Sequence, residues 1–436
     1  MALLEKLFKL SQNGTDVKTE VIAGVTTFMT MAYIIFVNPS ILSKAGMDFG
    51  AVMTATVLSA AFTTLLNGLF ANIPFALASG MGLNAFFAFV VAKQVGWQAA
   101  LGCVFIEGIA FLVLALTGVL SAADAAVPAS LKRAVSVGIG LFIALIGMRS
   151  AGLVVGHPET LITMGDFAKP GPALSLIGLV ITAALMALRV RGAILLGILI
   201  TTVIGIPMGV TKVAGSIVGK PASLAPVFMK MDIAGALSAG LMTIFAFGFV
   251  DIFDTMGTLV GTAARAGLLD EKGRYPKTKP AMIVDAIGTI LGAVLGTSTV
   301  TTYVESSAGI AEGGRTGLTS VVVALLFLLS LVFSPLAGMI PAEATAPALV
   351  IVGVLMMGAV VKINFEDFTE AFPAFMTIAV MPFTGSIASG IAAGFVTYPL
   401  VKLFAGRARE VHWAVWVLGV LSFLHFVPSL AKALGL

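Results

Sequence analysis

The chain contains 436 residues, 59% of them hydrophobic and only 11% charged, and its formal net charge is +4 at pH 7. Its mean hydropathy is +1.09. A water-soluble globular protein is excluded, because so few polar side chains cannot cover its surface. The single cysteine, Cys103, excludes a disulfide framework and a thiolate metal site. The basic residues are scattered along the chain, so we expect no binding to nucleic acid.

Long apolar runs predict an all-α polytopic protein of the lipid bilayer. Most of these runs can cross roughly 30 Å of hydrocarbon as a helix, and they lack the alternation typical of a membrane β-barrel. In chain order, the fourteen predicted spans are 21–43, 50–71, 77–91, 97–119, 132–151, 172–188, 192–210, 234–262, 280–296, 300–312, 317–340, 346–361, 369–384 and 386–405. A further apolar stretch, 412–430, is either an added span or a helix at the membrane interface.

Charge predicts the orientation. With a cytoplasmic N-terminus, most lysines and arginines fall in cytoplasmic segments, as the positive-inside rule requires. We therefore place the chain in the cytoplasmic (inner) membrane with its N-terminus in the cytoplasm. The most polar loop, "LLDEKGRYPKTKP" at 268–280, lies near the middle of the chain, just past the first span of the second half, and is the natural landmark for an internal duplication. Two repeats of seven spans would have opposite orientations, because an odd number reverses the starting side.

Two predicted spans differ from the rest. "ASGMGLNAFFAFV" (78–90) and "TSTVTTYVESSAGI" (297–310) are short and rich in Gly, Ser and Thr, and each is third in its set of seven. Such a pair at corresponding positions predicts a transporter binding site made from broken helices. Because residues 299–303 favour a strand, we expect a short extended piece that leads into a half-helix at about Glu305.

Polar side chains occur deep inside apolar segments, where ionisable groups are costly and mark ion, proton or substrate pathways. They are Asn84, Glu107, Asp251, Asp254, Asp285 and Glu305. Asp251 and Asp254 are three residues apart and share one helical face.

Each of these residues also has a structural interpretation. Glu305 could cap its own half-helix, and Asp254 could pair with a hydroxyl across helices. Asp251 and Asp285 are balanced between a site role and a helix-packing hydrogen bond. We interpret Glu107 as structural. Asn84 is interpreted as functional, because small neighbouring residues leave room beside it.

Four motifs carry a resemblance to a known family. "TEVIAGVTTFMTMAYIIFVNPSIL", "GMGLNAFFAF", "FDTMGTLVG" and "TYVESSAGIAEGGRTG" resemble the purine permeases of the nucleobase:cation symporter-2 family. Within that family they resemble the azaguanine-resistance-like (AzgA-like) branch for adenine, guanine and hypoxanthine. The similarity runs from about residue 4 to residue 410.

The resemblance implies fourteen segments in a 7+7 inverted repeat, with a short strand plus half-helix in segments 3 and 10. It also implies a core domain of spans 1–4 and 8–11 and a gate domain of spans 5–7 and 12–14. The corresponding ranges are 1–120 and 231–341 for the core, 121–230 and 342–410 for the gate, and 411–436 for an apolar tail. A homodimer through the gate helices is a further implication.

The resemblance also implies site residues. The acids of the eighth-span and tenth-span motifs, Asp254 and Glu305, would hold the nucleobase, with Gly82 and Asn84 of the third span beside it. The ninth-span acid falls on Asp285. Our prediction for substrate binding also includes two further residues, Phe86 and Ser306.

The chemistry of a purine agrees with these residues. Carboxylates can accept hydrogen bonds from its N–H groups, and an amide can pair with an edge that carries a donor and an acceptor. We predict import of a purine nucleobase by proton symport, with a core that slides as a rigid body. The candidates for proton coupling are Asp251, Asp254, Asp285 and Glu305. Sodium coupling and an anion transporter of the same fold remain alternatives.

A membrane enzyme is disfavoured, because the sequence shows no nucleophile motif, phosphate loop or metal-ligand cluster. We therefore predict no catalytic residue, no metal site and no cofactor.

Overall fold

The computed structural model describes residues 2–117, 126–213, 216, 218–265, 268–270 and 275–433. The predicted domain boundary at 120/121, part of the polar central loop and the last three residues of the tail lie outside the described residues. Ten of the described helices are long and apolar enough to cross a membrane. Four shorter helical segments complete the predicted fourteen, namely Met81–Val95, Ala193–Gly205, Ser306–Ala311 and Phe368–Thr384.

The described elements are numbered in chain order. In the first half they are α1 (Ala2–Phe8), α2 (Val17–Met31), α3 (Ile34–Leu42), α4 (Phe49–Leu66), β1 (Leu77–Ser79), α5 (Met81–Phe86), α6 (Ala92–Val95), α7 (Trp97–Thr117), α8 (Ala129–Ser150), β2 (Val154–His157), β3 (Leu161–Met164), α9 (Pro170–Ala187) and α10 (Ala193–Gly205). Two π-helical segments, Asn67–Ala71 and Phe87–Val91, continue α4 and α5.

The second half repeats the order of two long helices, a short strand and a half-helix. Its elements are α11 (Ile233–Ser238), α12 (Leu241–Arg265), α13 (Thr278–Leu295), β4 (Val300–Thr302), α14 (Ser306–Ala311), α15 (Gly317–Ser330), α16 (Ser334–Ala337), α17 (Ala342–Met357), α18 (Phe368–Thr384), α19 (Ile387–Phe404) and α20 (Trp413–Ala433). The prediction of strand plus half-helix in segments 3 and 10 is confirmed, since β1 precedes α5 and β4 precedes α14.

Side-chain caps fix where several helices begin. Four aspartates stand directly before a helix, and each carboxylate accepts a hydrogen bond from a backbone N–H of the first turn, which would otherwise lack a partner. These aspartates are Asp16 before α2, Asp48 before α4, Asp232 before α11 and Asp367 before α18. The caps lie at loop ends, so each also sets where the chain enters an apolar helix.

Helices α8 and α17 approach each other closely at two glycines. A Cβ on Gly140 would lie 2.8 Å from the carbonyl oxygen of Gly353, and a Cβ on Gly353 would lie 2.5 Å from that of Gly140. Small residues at such crossings let two backbones meet, which is how membrane helices gain packing energy without a hydrophobic driving force. The fifth and twelfth spans are therefore held together by direct backbone contact.

The pairing of two sheet segments joins the halves of the molecule. Strand β1 pairs antiparallel with β4, with Leu77 opposite Thr302 and Ser79 opposite Val300. A second sheet, the hairpin of β2 and β3, follows α8 and was not predicted. Its strands are four residues each, too short for a period-two pattern to stand out beside long apolar helices.

The apolar tail forms a helix that returns along the preceding span. Helix α20 packs against α19, and a Cβ on Gly419 would lie 2.9 Å from the carbonyl oxygen of Phe395 and 3.2 Å from Pro399. Its described apolar part, Trp413–Phe423, is shorter than a full span. The sequence left open whether this stretch crosses the membrane, and the structure adds that it is helical and packed on α19.

Candidate functional site

The candidate site is built around the β1–β4 pair, from which two half-helices depart. The N–H of Gly80 donates to the Thr299 carbonyl at 2.9 Å, and the N–H of Tyr303 donates to the Ala76 carbonyl at 2.9 Å. These bonds flank the paired strands. The half-helices therefore leave the strand pair at opposite ends, α5 at the Ser79–Val300 end and α14 at the Leu77–Thr302 end.

The outer edge of each strand is satisfied by a threonine hydroxyl instead of a third strand. Thr64 accepts from the N–H of Leu77 at 2.9 Å and donates to its carbonyl at 3.0 Å. Thr289 makes the same two contacts with Val300, at 3.2 and 3.0 Å. Thr64 belongs to the second span of the first half and Thr289 to the second span of the other half. This shared arrangement is a structural signature of the repeat.

Glu305 stands at the start of α14. Its side chain makes no capping hydrogen bond to that half-helix, so the capping interpretation of this acid is wrong. Instead, its Oε1 accepts a hydrogen bond of 2.6 Å from the hydroxyl of Tyr33. The Thr30 hydroxyl contacts the Glu305 backbone carbonyl at 3.4 Å. The carboxylate is half-buried, with one oxygen held by the first span.

Asp254 lies on α12 and faces the same region. Its carboxylate interacts electrostatically with that of Glu305. Within the described part of the chain, no hydroxyl or N–H donates a hydrogen bond to it, so the alternative interpretation, a pairing with a hydroxyl across helices, is not found. Asp254 and Glu305 thus form a pair of acids with unused acceptor capacity next to the strand pair.

Asn84 is fully buried on α5. Its Nδ2 donates to the carbonyl of Ser79 at 3.3 Å. Its Oδ1 is buried and has no partner among the described residues. An unpartnered buried amide oxygen is costly, and a ligand N–H would satisfy it.

The other predicted contacts are engaged with protein. A Cβ on Gly82 would lie 2.5 Å from Cγ2 of Ile139 on α8, so the space beside this glycine is filled by a side chain. The ring of Phe86 is buried 4.8 Å from that of Phe247. The Ser306 hydroxyl accepts from the N–H of Ala76 at 3.0 Å. In this conformation Gly82 and Phe86 pack the half-helix, and Ser306 ties α14 to the start of β1.

Asp285 is fully buried on α13, behind β4. It accepts from the hydroxyls of Thr255 at 3.1 Å and Thr302 at 3.4 Å, and Thr255 in turn accepts from the N–H of Thr302 at 3.2 Å. Asp251 is also fully buried, and its Oδ2 contacts the hydroxyl of Thr289 at 3.2 Å. Both aspartates therefore support the open edge of β4 through threonines.

Sequence reasoning missed Tyr33 and the role of the threonines. Tyr33 lies between α2 and α3, where the first span is interrupted, and its side chain is 1% exposed. A tyrosine in an apolar run normally finds a hydrogen-bond partner for its hydroxyl, which was the available signal. Its partner is 272 residues away in the chain, so local pattern alone could not identify it.

Comparison with known proteins finds a family model and several relatives that match most of the chain. The Xan_ur_permease model, described as a permease family, matches residues 18–393. The chain is 47% identical to the adenine permease AdeP of Escherichia coli (strain K12), over 98% of this chain and 96% of AdeP. It is 43% identical to the guanine/hypoxanthine permease PbuG of Bacillus subtilis (strain 168), over 97% of this chain and 99% of PbuG.

A solved structure shares the fold. The transmembrane domain of the cyanobacterial bicarbonate transporter BicA superposes with a TM-score of 0.65 at 17% identity, covering 86% of this chain and 97% of that domain. The 7+7 inverted-repeat fold expected from the sequence is thereby confirmed.

Proposed function

Because the chain belongs to the nucleobase:cation symporter-2 permeases, we propose that it imports a purine nucleobase together with a proton across the cytoplasmic membrane. The substrates are adenine, guanine or hypoxanthine, which the names of its relatives AdeP and PbuG include. In this proposal the N-terminus lies in the cytoplasm, and two copies associate through the gate helices.

The observation that carries the proposal is the convergence of Asp254 and Glu305 beside the strand pair. A neutral purine presents N–H donors at its edges, and the two carboxylates supply free acceptors for them. The unpartnered Oδ1 of Asn84 supplies a third acceptor on the neighbouring half-helix. Acceptors on three separate spans would fix a flat ligand by its edges.

The same pair of acids disfavours an anion as substrate. Two carboxylates in one partly buried site repel a negatively charged ligand. The likeness to a bicarbonate transporter is one of fold, at 17% identity, and does not extend to this chemistry.

Proton coupling follows from the cost of moving charge. A carboxylate carried through a low-dielectric barrier is costly, and a proton removes that charge. We propose that protonation of a buried acid accompanies substrate binding, and that the core (1–120 and 231–341) then slides past the gate (121–230 and 342–410). The close fit of Gly82 against Ile139 lies at the proposed boundary between these two domains.

Uptake into proteoliposomes tests the proposal. Radiolabelled adenine should accumulate under an imposed proton gradient, and a protonophore should abolish the accumulation. Asp254→Asn and Glu305→Gln should both insert normally, unfold at the wild-type temperature and fail to transport. Transport at the parental rate by either variant would remove that residue from the site.

Two further measurements separate the alternatives. Sodium-free buffer at two pH values distinguishes proton coupling from sodium coupling. Competition by unlabelled guanine, hypoxanthine, uracil and bicarbonate defines the substrate class, and we expect only the purines to compete.

A further inference from the structure

Two carboxyl groups lie buried behind the substrate acids, on neighbouring helices. Glu107 of α7 is 1% exposed and Asp251 of α12 is 0% exposed. Within the described residues, neither oxygen of Glu107 nor Oδ1 of Asp251 receives a hydrogen bond from a hydroxyl, amide or N–H group. Buried polar atoms are almost always partnered, so these three oxygens need a donor.

The carboxyl groups of Glu107 and Asp251 lie within hydrogen-bonding reach of each other. Two ionised carboxylates accept but cannot donate, and they repel each other strongly away from water. A single proton between them supplies the missing donor and removes one of the two charges. We propose that Glu107 and Asp251 share one proton and form a proton-binding site separate from the acids that hold the substrate.

This proposal rests on the proposed proton-coupled transport and names a second residue pair for it. It also changes the interpretation of Glu107, which the sequence suggested was structural. The pair is not part of the substrate site, because Asp254 and Glu305 carry the free acceptors there.

The hydroxyl of Thr289 connects the proton pair to the substrate site. It lies 3.2 Å from Oδ2 of Asp251 and 3.0 Å from the Val300 carbonyl, and its one hydrogen can serve only one of them at a time. When Asp251 is charged, it competes for that hydrogen. When Glu107 and Asp251 share a proton, the Thr289 hydroxyl no longer needs to bond Asp251. It can then donate its hydrogen bond to the Val300 carbonyl in β4, the strand that leads to Glu305.

The first half of the molecule provides an internal comparison. Thr64 makes the same two bonds to Leu77, and within the described residues it contacts no carboxylate. Both repeats therefore use a threonine to bond the outer edge of their strand. The carboxylate that contacts this threonine, Asp251, belongs to the second repeat. Because of this asymmetry, protonation of the Glu107–Asp251 pair should change the hydrogen bonding of β4 and not that of β1.

Several other ionisable groups face the pair. Asp254 lies one turn further along α12, Asp285 approaches from α13, and Cys103 lies on the same helix as Glu107. Helix α11, which also packs against α7, carries no ionisable side chain within Ile233–Ser238. From α8, Lys132 places its ammonium 5.7 Å from the ring centre of Phe253. Asp285 differs from Glu107 and Asp251 because both of its oxygens accept hydrogen bonds from threonine hydroxyls, those of Thr255 and Thr302.

Glu107→Gln tests the proposal in proteoliposomes. For one coupled proton, wild-type uptake changes by up to about tenfold per unit of external pH. We expect the variant to bind adenine with wild-type affinity and to exchange internal for external adenine. Its net uptake should be flat with pH, and the ratio of protons to adenine should fall. A wild-type ratio and pH profile in Glu107→Gln would overturn the proposal.

A spectroscopic measurement keeps this result distinct from a failure of the transport proposal. Wild-type protein should show the infrared C=O band of a protonated carboxylic acid at neutral pH, and both Glu107→Gln and Asp251→Asn should lack it. Persistence of the band in both variants would contradict the shared proton, whatever the protein transports.

Glu20→Gln is the matched control. Glu20 is equally buried, but its oxygens accept from the backbone N–H groups of Arg315, Thr316 and Thr319 at the start of α15. Its loss should lower stability without altering the pH profile. A change in the pH profile of Glu20→Gln equal to that of Glu107→Gln would show that any buried acid has this effect and would overturn the assignment.

Discussion

The hydroxyl of Tyr33 donates a hydrogen bond of 2.6 Å to Oε1 of Glu305, so the interrupted first span holds the acid of the tenth. This contact occupies one oxygen of the carboxylate and leaves the other for a ligand. Tyr33 is thus a positioning residue for the proposed substrate site.

Replacing Tyr33 with phenylalanine should weaken substrate binding. Loss of a hydrogen bond to a charged group removes up to about 2 kcal/mol, so we expect the KM for adenine to rise by about tenfold. The maximal rate should change little, because the coupling acids remain. Initial rates of uptake over a range of adenine concentrations measure both quantities.

Tyr275→Phe is the control for this experiment. Tyr275 packs against Phe75, with ring centres 5.9 Å apart, and within the described residues its hydroxyl makes no hydrogen bond to Glu305. Its KM should remain at the wild-type value. An unchanged KM in Tyr33→Phe would show that the hydrogen bond does not position Glu305 for binding.

Thr64→Val and Thr289→Val should have similar effects on stability and different effects on transport. Each change leaves a buried backbone N–H and carbonyl without partners, which costs about 2 kcal/mol. Only Thr289 also contacts Asp251. We expect matched losses in thermal stability and a larger loss of proton-driven uptake in Thr289→Val. Equal uptake per folded molecule in the two variants would argue against Thr289 as the connection between the Glu107–Asp251 pair and the substrate site.

An ion pair joins the proposed gate and core. Arg191, between α9 and α10, contacts Glu312, which follows α14. The arginine is 61% exposed, so the pair contributes less than about 1 kcal/mol to the observed conformation. Because the core is proposed to move past the gate, breaking the pair should change the rate of adenine exchange by up to about fivefold.

Swapping the charges of Arg191 and Glu312 tests this ion pair. Arg191→Glu and Glu312→Arg should each shift the exchange rate in the same direction, and the double variant should return it towards the wild-type rate. The single-variant effects should shrink at high salt, because exposed charges are screened. Failure of the double variant to recover would show that the two side chains act independently.

The cap of α18 should show a defined pH dependence. Asp367 accepts a hydrogen bond of 2.6 Å from Arg407, and this bond, with those from Thr369, lowers the pKa of Asp367 from 3.8 to about 2. A lowered carboxyl pKa gives stability that is present above the unfolded-state pKa and is lost as the pH falls through the folded-state pKa.

Asp367→Asn should therefore destabilise the protein equally at all pH values above about 5, and its difference from wild type should shrink between about pH 4 and about pH 2. Thermal unfolding in detergent at a series of pH values measures this difference. Glu366→Gln in the same exposed loop should match wild type throughout. A constant difference down to the lowest pH would mean that the charge of Asp367 does not support the cap.

Several features were predictable because they depend on local composition. Apolar runs placed all fourteen spans, and the small and hydroxyl residues of 78–90 and 297–310 identified the two broken segments. Strand-favouring residues before Glu305 predicted β4. Acids within apolar segments drew attention to Asp254 and Glu305, whose carboxylates the structure brings within electrostatic range of each other. The β2–β3 hairpin was missed, because two four-residue strands carry little signal.

What the sequence by itself determined is the class of protein, its segment order and the chemical types at its centre, since hydropathy and side-chain charge act over one or two helical turns. Only the tertiary structure decided which of these residues meet. The pairing of β1 with β4, the bond from Tyr33 to Glu305, and the contact of Glu107 with Asp251 each join separate spans. Such contacts follow from how particular helices pack against one another, and no local pattern in the chain specifies which distant residue a side chain meets.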